Sequence, residues 1–178
     1  LERVVLVAET RRLKVLYVEG RPRYEFRFVK ALLERETEAV AGNKTTDLHT
    51  LLLDASPGFA EQDKSSLRAF PTKTELFEYD AVVVGDVDPA QLPRAQQAFA
   101  DLAEFVKVRG GGLLFLAGEA ANPHKLFATP LGPLLPVAPS DAAPRDGSGP
   151  KATPDLTPLT DGYRPRLTPL GQTHPLFR

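Results

Sequence analysis

Carboxylate, arginine and histidine side chains are concentrated in four short segments that also contain glycine or proline. These segments cover residues 19–23, 54–58, 85–88 and 118–124. Their carboxylates suit acid–base chemistry, and their arginines can bind a carboxylate or phosphate through two parallel hydrogen bonds. We therefore predict a pocket for a polar or anionic ligand. Its predicted binding residues are Gly20, Arg21, Arg23, Asp86, Gly118, Glu119 and His124.

The same residue types also have structural roles open to them. The arginines can form ion pairs with Glu19, Glu25 and Asp86. His124 follows Pro123, a context that favours a hydrogen bond to the backbone of a rigid loop over acid–base work with Glu119. The alternative to a ligand pocket is therefore a set of turns and helix caps.

An oxygen-ligand metal site is a further alternative. Asp54, Asp86, Asp88 and Glu119 have the carboxylates that hard cations prefer. However, Asp88 precedes Pro89, and aspartate before proline is a common turn former. We predict no metal and no cofactor.

Alternating strands and helices must position the four segments. Apolar runs predict strands at 13–19, 46–54, 80–85 and 113–117, and helical spacing predicts helices at 24–35, 72–79 and 95–109. Such alternation indicates a three-layer α/β/α sandwich with a mainly parallel sheet, whose strand carboxyl ends share one edge. Unbroken apolar character predicts that residues 15–18, 81–84 and 113–116 are almost fully buried.

The two ends of the chain differ from this pattern. Residues 1–10 are expected to contribute a strand (4–8) of a preceding domain, so that the α/β domain spans 11–178 and the chain is a piece of a larger protein. Residues 139–165 are proline-rich, and 140–154 are expected to form a mobile surface segment. The apolar segment 167–177 is expected to pack back onto the domain.

Composition excludes several classes of function. Lys plus Arg number 22 and Asp plus Glu 23, which leaves a formal charge of −1 and no basic surplus for nucleic acid. The absence of cysteine excludes disulfides and thiolate chemistry. No apolar stretch approaches the roughly 20 residues that span a bilayer, so no direct membrane insertion is expected.

Five motifs together carry a resemblance to a known family. They are VLYVEGRPRYEFRFVKALLERE, LLLDASPGFAEQD, FPTKTELFEYDAVVVGDVDP, GGGLLFLAGEAANPH and LTPLGQTHPLF. In this order they resemble the class I glutamine amidotransferase-like domains of large bacterial membrane-associated proteins, which often also carry von Willebrand factor A and immunoglobulin-like modules. The resemblance implies the flavodoxin-like fold, and it implies that residues 4–8 belong to a neighbouring β-domain.

The chain departs from that family at the catalytic nucleophile. In active members a glycine-rich strand presents a cysteine, and the corresponding position here is Ala117, or else Gly118. A methyl group cannot attack an amide carbonyl, so glutamine hydrolysis by that mechanism is excluded.

The resemblance therefore implies a catalytically silent domain that serves as a binding or assembly module in a membrane-anchored bacterial protein. The absence of cysteine fits a periplasm-facing location as well as a cytosolic one, so the compartment stays open. Its expected partners are the neighbouring domains of the same polypeptide and a protein partner. The alternatives are an enzyme of another chemistry, such as a hydrolase that uses the carboxylates and the histidine at the strand ends, and a purely structural spacer.

Overall fold

A computed structural model describes residues 11–36, 43–56 and 58–137. The predicted elements at 4–8, 139–165 and 167–177 lie outside these residues. The strands are β1 (Leu13–Glu19), β2 (Thr46–Leu52), β3 (Ala81–Val84) and β4 (Gly112–Phe115). The helices are α1 (Tyr24–Arg35), α2 (Phe59–Gln62), α3 (Lys73–Leu76) and α4 (Ala95–Glu104), with short 3-10 turns at Pro89–Gln91 and Gly132–Leu134.

The four strands form one parallel sheet in the order β2-β1-β3-β4. Val15 of β1 pairs with Leu48 of β2 on one side and with Ala81 of β3 on the other. β1 is thus central, and the chain extends the sheet first on one side of it and then on the other. This order is that of flavodoxin-like sheets, and it confirms the predicted fold class.

Alternating side chains of the strands bury the two faces of the sheet in separate cores. Val15 and Tyr17 of β1 pack with Phe26 of α1 on one face. Leu16 and Val18 of the same strand point to the opposite face. There the core includes Leu76 of α3, and Phe99 and Leu102 of α4. The arrangement is the predicted three-layer α/β/α sandwich.

The predicted burial of the fourth strand is wrong. Residues 15–18 of β1 and 82–84 of β3 are nearly inaccessible to solvent, whereas Leu114 of β4 is 53% exposed. β4 pairs only with β3 in the described sheet, so it is an edge strand there. An edge strand has a neighbour on one side only, and an apolar sequence does not show which position in the sheet a strand takes.

Two helices are shorter than the sequence predicts. Thr72 and Glu75 form a capping box at the start of α3, but this helix ends after one turn at Leu76 and not at residue 79. α4 ends at Glu104 and continues as a π-helical turn over Phe105–Arg109. Gly110 then stops the helix with a left-handed φ of 76°, a conformation that glycine adopts readily. None of the helices in the described ranges is long and apolar enough to cross a bilayer.

Sequence reasoning missed the packing of the chain after β4. Residues 121–131 form consecutive turns. Leu126 and Leu131 in these turns are completely buried in the same core as α4. Two leucines without helical or strand periodicity give no pattern from which this could have been predicted.

Candidate functional site at the carboxyl ends of the strands

Glu19 ends β1 and is completely buried. One carboxylate oxygen accepts the backbone N–H of Gly20 at 3.0 Å and that of Asp86 at 2.7 Å. The other accepts the Tyr17 hydroxyl and Arg23 Nε, both at 3.1 Å. These donors account for both oxygens of Glu19, which therefore ties β1 to the loop after β3.

Asp86 follows β3 and is the second buried carboxylate at this edge of the sheet. Its oxygens accept three successive backbone N–H groups, those of Ala120, Ala121 and Asn122, at 2.7–2.9 Å. Burial by itself would raise the pKa of Asp86, but these backbone donors, together with the positive charge of Arg23, hold it below its ordinary value. Asp86 is thus an ionised anchor for the loop after β4.

Arg23 links the same two regions from the side of α1. Besides Glu19, its guanidinium donates to the carbonyl oxygens of Ala117 at 2.9 Å and Leu116 at 3.3 Å. Burial alone would lower the pKa of Arg23, but the charge of Glu19 raises it. The predicted ion pair with Glu19 is observed, and the guanidinium is already occupied by protein acceptors.

Asn122 completes this network, and sequence reasoning did not identify it. Its buried amide nitrogen lies 3.0 Å from the carbonyl oxygen of Gly85 and 3.2 Å from those of Val84 and Leu116. It therefore holds the ends of β3 and β4 together. An asparagine beside a proline is typical of a turn, so only the neighbouring strands reveal this role. We call Glu19, Arg23, Asp86 and Asn122 the strand-end network.

Three glycines allow the strand-end network to close. A Cβ on Gly85 would lie 2.2 Å from a Glu19 oxygen, and one on Gly118 would lie 2.2 Å from Asp86 Cγ. A Cβ on Gly20 would lie 2.2 Å from the backbone oxygen of Asp86. The absent side chains of Gly20 and Gly118 thus make room for protein atoms, and the role of both glycines in a ligand pocket stays a prediction.

The other predicted site residues lie around this network with looser contacts. Arg21 is 54% exposed and lies 4.0 Å from Asp86. Glu119 is exposed, and the half-buried His124 places Nε2 3.1 Å from the carbonyl oxygen of Ala120, a backbone contact of the kind its proline context favours. The structure thus brings Gly20, Arg23, Asp86 and Gly118 together, while their role in ligand binding stays a prediction.

Asp88 has a capping role beside the network. Its carboxylate accepts the backbone N–H of Ala90 at 3.0 Å and pairs with Lys125 at 2.6 Å. The hydrogen bond from Lys125 and the backbone bond lower the pKa of Asp88. Across the described ranges, no group of three or more histidine and acidic side chains is arranged to hold a metal ion.

An open cleft lies at the carboxyl end of β2, and Ala55 and Ser56 of the predicted pocket segment 54–58 are among its lining residues. It has a volume of about 570 Å³ and lies between the segment around α2 and the start of α4. Gln91 lies between the cleft and the strand-end network. It lines the cleft, and its side-chain oxygen would be 3.4 Å from a Cβ on Gly20. The residues that enclose this space come from four separate parts of the chain, so no local motif predicts it.

Comparison of the chain with protein-family models, with curated proteins and with solved structures gave no match. The resemblance to amidotransferase-like domains therefore stays a prediction.

Proposed function

We propose that this chain is a catalytically silent amidotransferase-like domain that acts as a binding or assembly module of a larger membrane-anchored bacterial protein. Its partners in this proposal are neighbouring domains of the same polypeptide and a protein partner. The activity of such a module consists of presenting a surface, so the proposal depends on which side chains face solvent.

The observation that carries the proposal is a row of large apolar side chains on the outer face of α1. Tyr24 is 75% exposed, Phe28 71% and Leu32 62%. Residues four apart lie on the same face of a helix, so the three side chains form one stripe. Such contiguous exposed apolar surface is typical of protein contact sites. We call these three residues the α1 stripe.

Charged side chains of both signs border the α1 stripe. Arg27 and Arg35 are exposed on α1, and so are Glu25 in its first turn and Glu36 at its C-cap. An apolar stripe with such a border suits a protein surface that is apolar at its centre and polar at its edge.

The strand-end network supports the catalytically silent part of the proposal. Glu19 and Asp86 are the buried carboxylates at the edge where an α/β enzyme carries its reacting groups, and both are engaged with donors of the protein itself. Ala117 stands at the position of the nucleophile and offers only a methyl group. A group fixed by several internal hydrogen bonds is poorly suited to exchange a proton with a substrate.

Site-specific photo-cross-linking in cells that express the whole polypeptide tests the assembly role. A benzoylphenylalanine at position 28 is expected to give a discrete cross-linked product, whose acceptor peptide is identified by mass spectrometry as apolar with polar flanks. The matched control is position 108, because Val108 is 72% exposed, as Phe28 is, but lies on the π-helical turn after α4. Equal labelling from both positions, or none from position 28, would contradict the assembly role.

A separate assay tests the catalytic silence. The purified chain is expected to release no ammonia from glutamine above a buffer blank. Release that disappears in an Asp86→Asn variant would show that this edge of the sheet is an active site.

A further inference from the structure

The cleft at the carboxyl end of β2 is a concave surface at the edge of the sheet where α/β proteins bind ligands. Its volume of about 570 Å³ falls within the range of small-molecule sites. Its walls come from the ends of β2, from α2, from residues 66–70 and from residues 91–94. Four separate segments therefore enclose it, and the space does not depend on the conformation of one loop.

The floor of the cleft is apolar. Leu53, Leu67 and Leu92 line it and belong to, or pack against, the core shared with α4. Phe59 and Phe70 add aromatic surface to the walls. A ligand that covers these side chains removes apolar surface from water, which favours a ligand with an apolar body.

The rim of the cleft is positively charged. Its charged lining residues are Arg68, Arg94 and Glu61, which leaves one positive charge in excess. The Arg68–Glu61 pair is separated by 3.6 Å, and both side chains are largely exposed, so solvent screens it and Arg68 stays able to meet another anion. Gln91 adds an amide donor to the same rim.

Arg94, at this rim, has an unusual backbone conformation. Its φ of 55° and ψ of 38° are left-handed, and among the described residues other than glycine only Arg94 has a positive φ. Left-handed conformations outside glycine are uncommon, and asparagine, aspartate and histidine are enriched among the residues that adopt them.

We infer that the cleft binds an organic anion with an apolar body, such as an aliphatic or aromatic carboxylate or sulfonate. The apolar body lies against Leu53, Leu67 and Leu92, and the anionic group meets Arg94 and Arg68. This inference does not depend on the assembly role, because the α1 stripe is not among the residues that line the cleft.

Anilinonaphthalene sulfonate is a suitable probe, because it combines an aromatic body with an anionic group and fluoresces when it leaves water. The chain is expected to bind it saturably. Decanoate is expected to displace the probe. Decylammonium has the same chain length with the opposite charge and acetate has no apolar body, so neither is expected to displace it at the same concentration. Displacement by decylammonium as effective as that by decanoate would overturn the requirement for an anion.

Three variants locate the bound probe. Arg94→Asn is expected to weaken binding about tenfold, since it removes a charged donor and replaces it with a residue that tolerates the left-handed backbone. Ala69→Trp adds an indole to the wall of the cleft and is expected to abolish saturable binding. Arg12→Asn removes an exposed arginine that belongs neither to the cleft nor to the α1 stripe, and it is expected to leave the affinity unchanged.

Phe28→Ser distinguishes the cleft from the α1 stripe, which also offers exposed apolar surface to the probe. Affinity unchanged in Phe28→Ser and lost in Ala69→Trp supports the inference. The reverse pattern, or saturable binding that survives in both Ala69→Trp and Arg94→Asn, overturns it. Far-ultraviolet circular dichroism and a thermal melt of each variant establish that it is folded before its affinity is compared.

Discussion

The carboxyl end of β2 and the carboxyl ends of β1 and β3 lie at the same edge of one sheet, yet they have opposite characters. At β1 and β3 the protein fills the crevice with its own charged groups, the strand-end network. At β2 a cleft of about 570 Å³ stays open and is lined mainly by apolar side chains. Glu19, Arg23 and Asp86, whose side chains suggested chemistry, thus hold the fold together. The space that a ligand could enter is bordered mainly by leucine, alanine and phenylalanine.

Backbone geometry explains why the first region closes. Glycine at positions 20, 85 and 118 lets the loops after β1, β3 and β4 approach within a distance that any side chain would prevent. Two carboxylates in such a small volume are tolerated because each accepts several hydrogen bonds, and because Arg23 supplies a positive charge beside Glu19. A crevice at this edge of the sheet is therefore not by itself evidence of a ligand site.

The largest effect is expected when the buried acceptor of the strand-end network is removed. Glu19→Ala leaves Arg23 and the N–H groups of Gly20 and Asp86 without their acceptor, and we expect it to lower the free energy of unfolding by about 3–5 kcal/mol. Chemical denaturation of the purified variant measures this loss.

The matched control is Glu78→Ala, because the Glu78 side chain is 61% exposed and pairs with Lys14 at the surface. We expect that change to cost less than about 1 kcal/mol. Equal losses for the two variants would mean that the network does not stabilise the fold as described.

A smaller loss is expected when the close approach of β1 to the loop after β3 is prevented. Gly20→Ala places a Cβ 2.2 Å from the backbone oxygen of Asp86, which cannot rotate away as a side chain can. We expect a loss of about 2–3 kcal/mol in unfolding free energy, typical of overpacked sites. In the control Gly112→Ala the nearest atom is 3.4 Å away, so only a minor change is expected. A Gly20→Ala protein as stable as Gly112→Ala would argue against the closed geometry.

The charge of Asp86 gives the closed region a pH dependence. Its pKa is lowered in the folded protein, so the ionised form stabilises the fold above the unfolded pKa, and this stabilisation is lost as the pH falls through the folded pKa. At pH 7 we expect Asp86→Asn to cost about 1.5 kcal/mol, since the backbone donors lose a charged acceptor. The difference from the unmodified chain should shrink below about pH 4, near the unfolded pKa of aspartate.

Urea denaturation at a series of pH values between 7 and 3 measures this dependence. Asp47→Asn removes an exposed carboxylate and is the control, for which we expect a small difference that does not follow the same pH course. A cost of Asp86→Asn that stays constant down to pH 3 would show that the charge of Asp86 does not stabilise the fold.

The smallest effect is expected on the open side of the comparison. Ala60 of α2 is half-buried and lines the cleft, so the larger side chain of Ala60→Leu can enter existing space. We expect the free energy of unfolding to change by less than about 0.5 kcal/mol. A loss as large as that of Gly20→Ala would mean that the cleft is filled in solution.

The order and type of the main elements follow from local patterns in the sequence. β1 and α1 have the predicted bounds. An unbroken apolar run is a local pattern of a buried strand, and apolar residues at helical spacing are a local pattern of a helix that covers a core. The parallel sheet follows from the alternation of these elements, since a helix between two strands returns the chain to the same edge of the sheet.

Whether the polar residues at the strand ends bind a ligand or hold the fold together depends on how the loops pack. Glu19 accepts the backbone N–H of Asp86, which is 67 residues away in the chain. Asp86 accepts three backbone N–H groups that are 34–36 residues away. The same holds for the edge position of β4, for the burial of Leu126 and Leu131, and for the cleft beside Arg94. Each of these features depends on which segments meet in space. Residue type and spacing along the chain do not give the distance between segments that are far apart in the sequence.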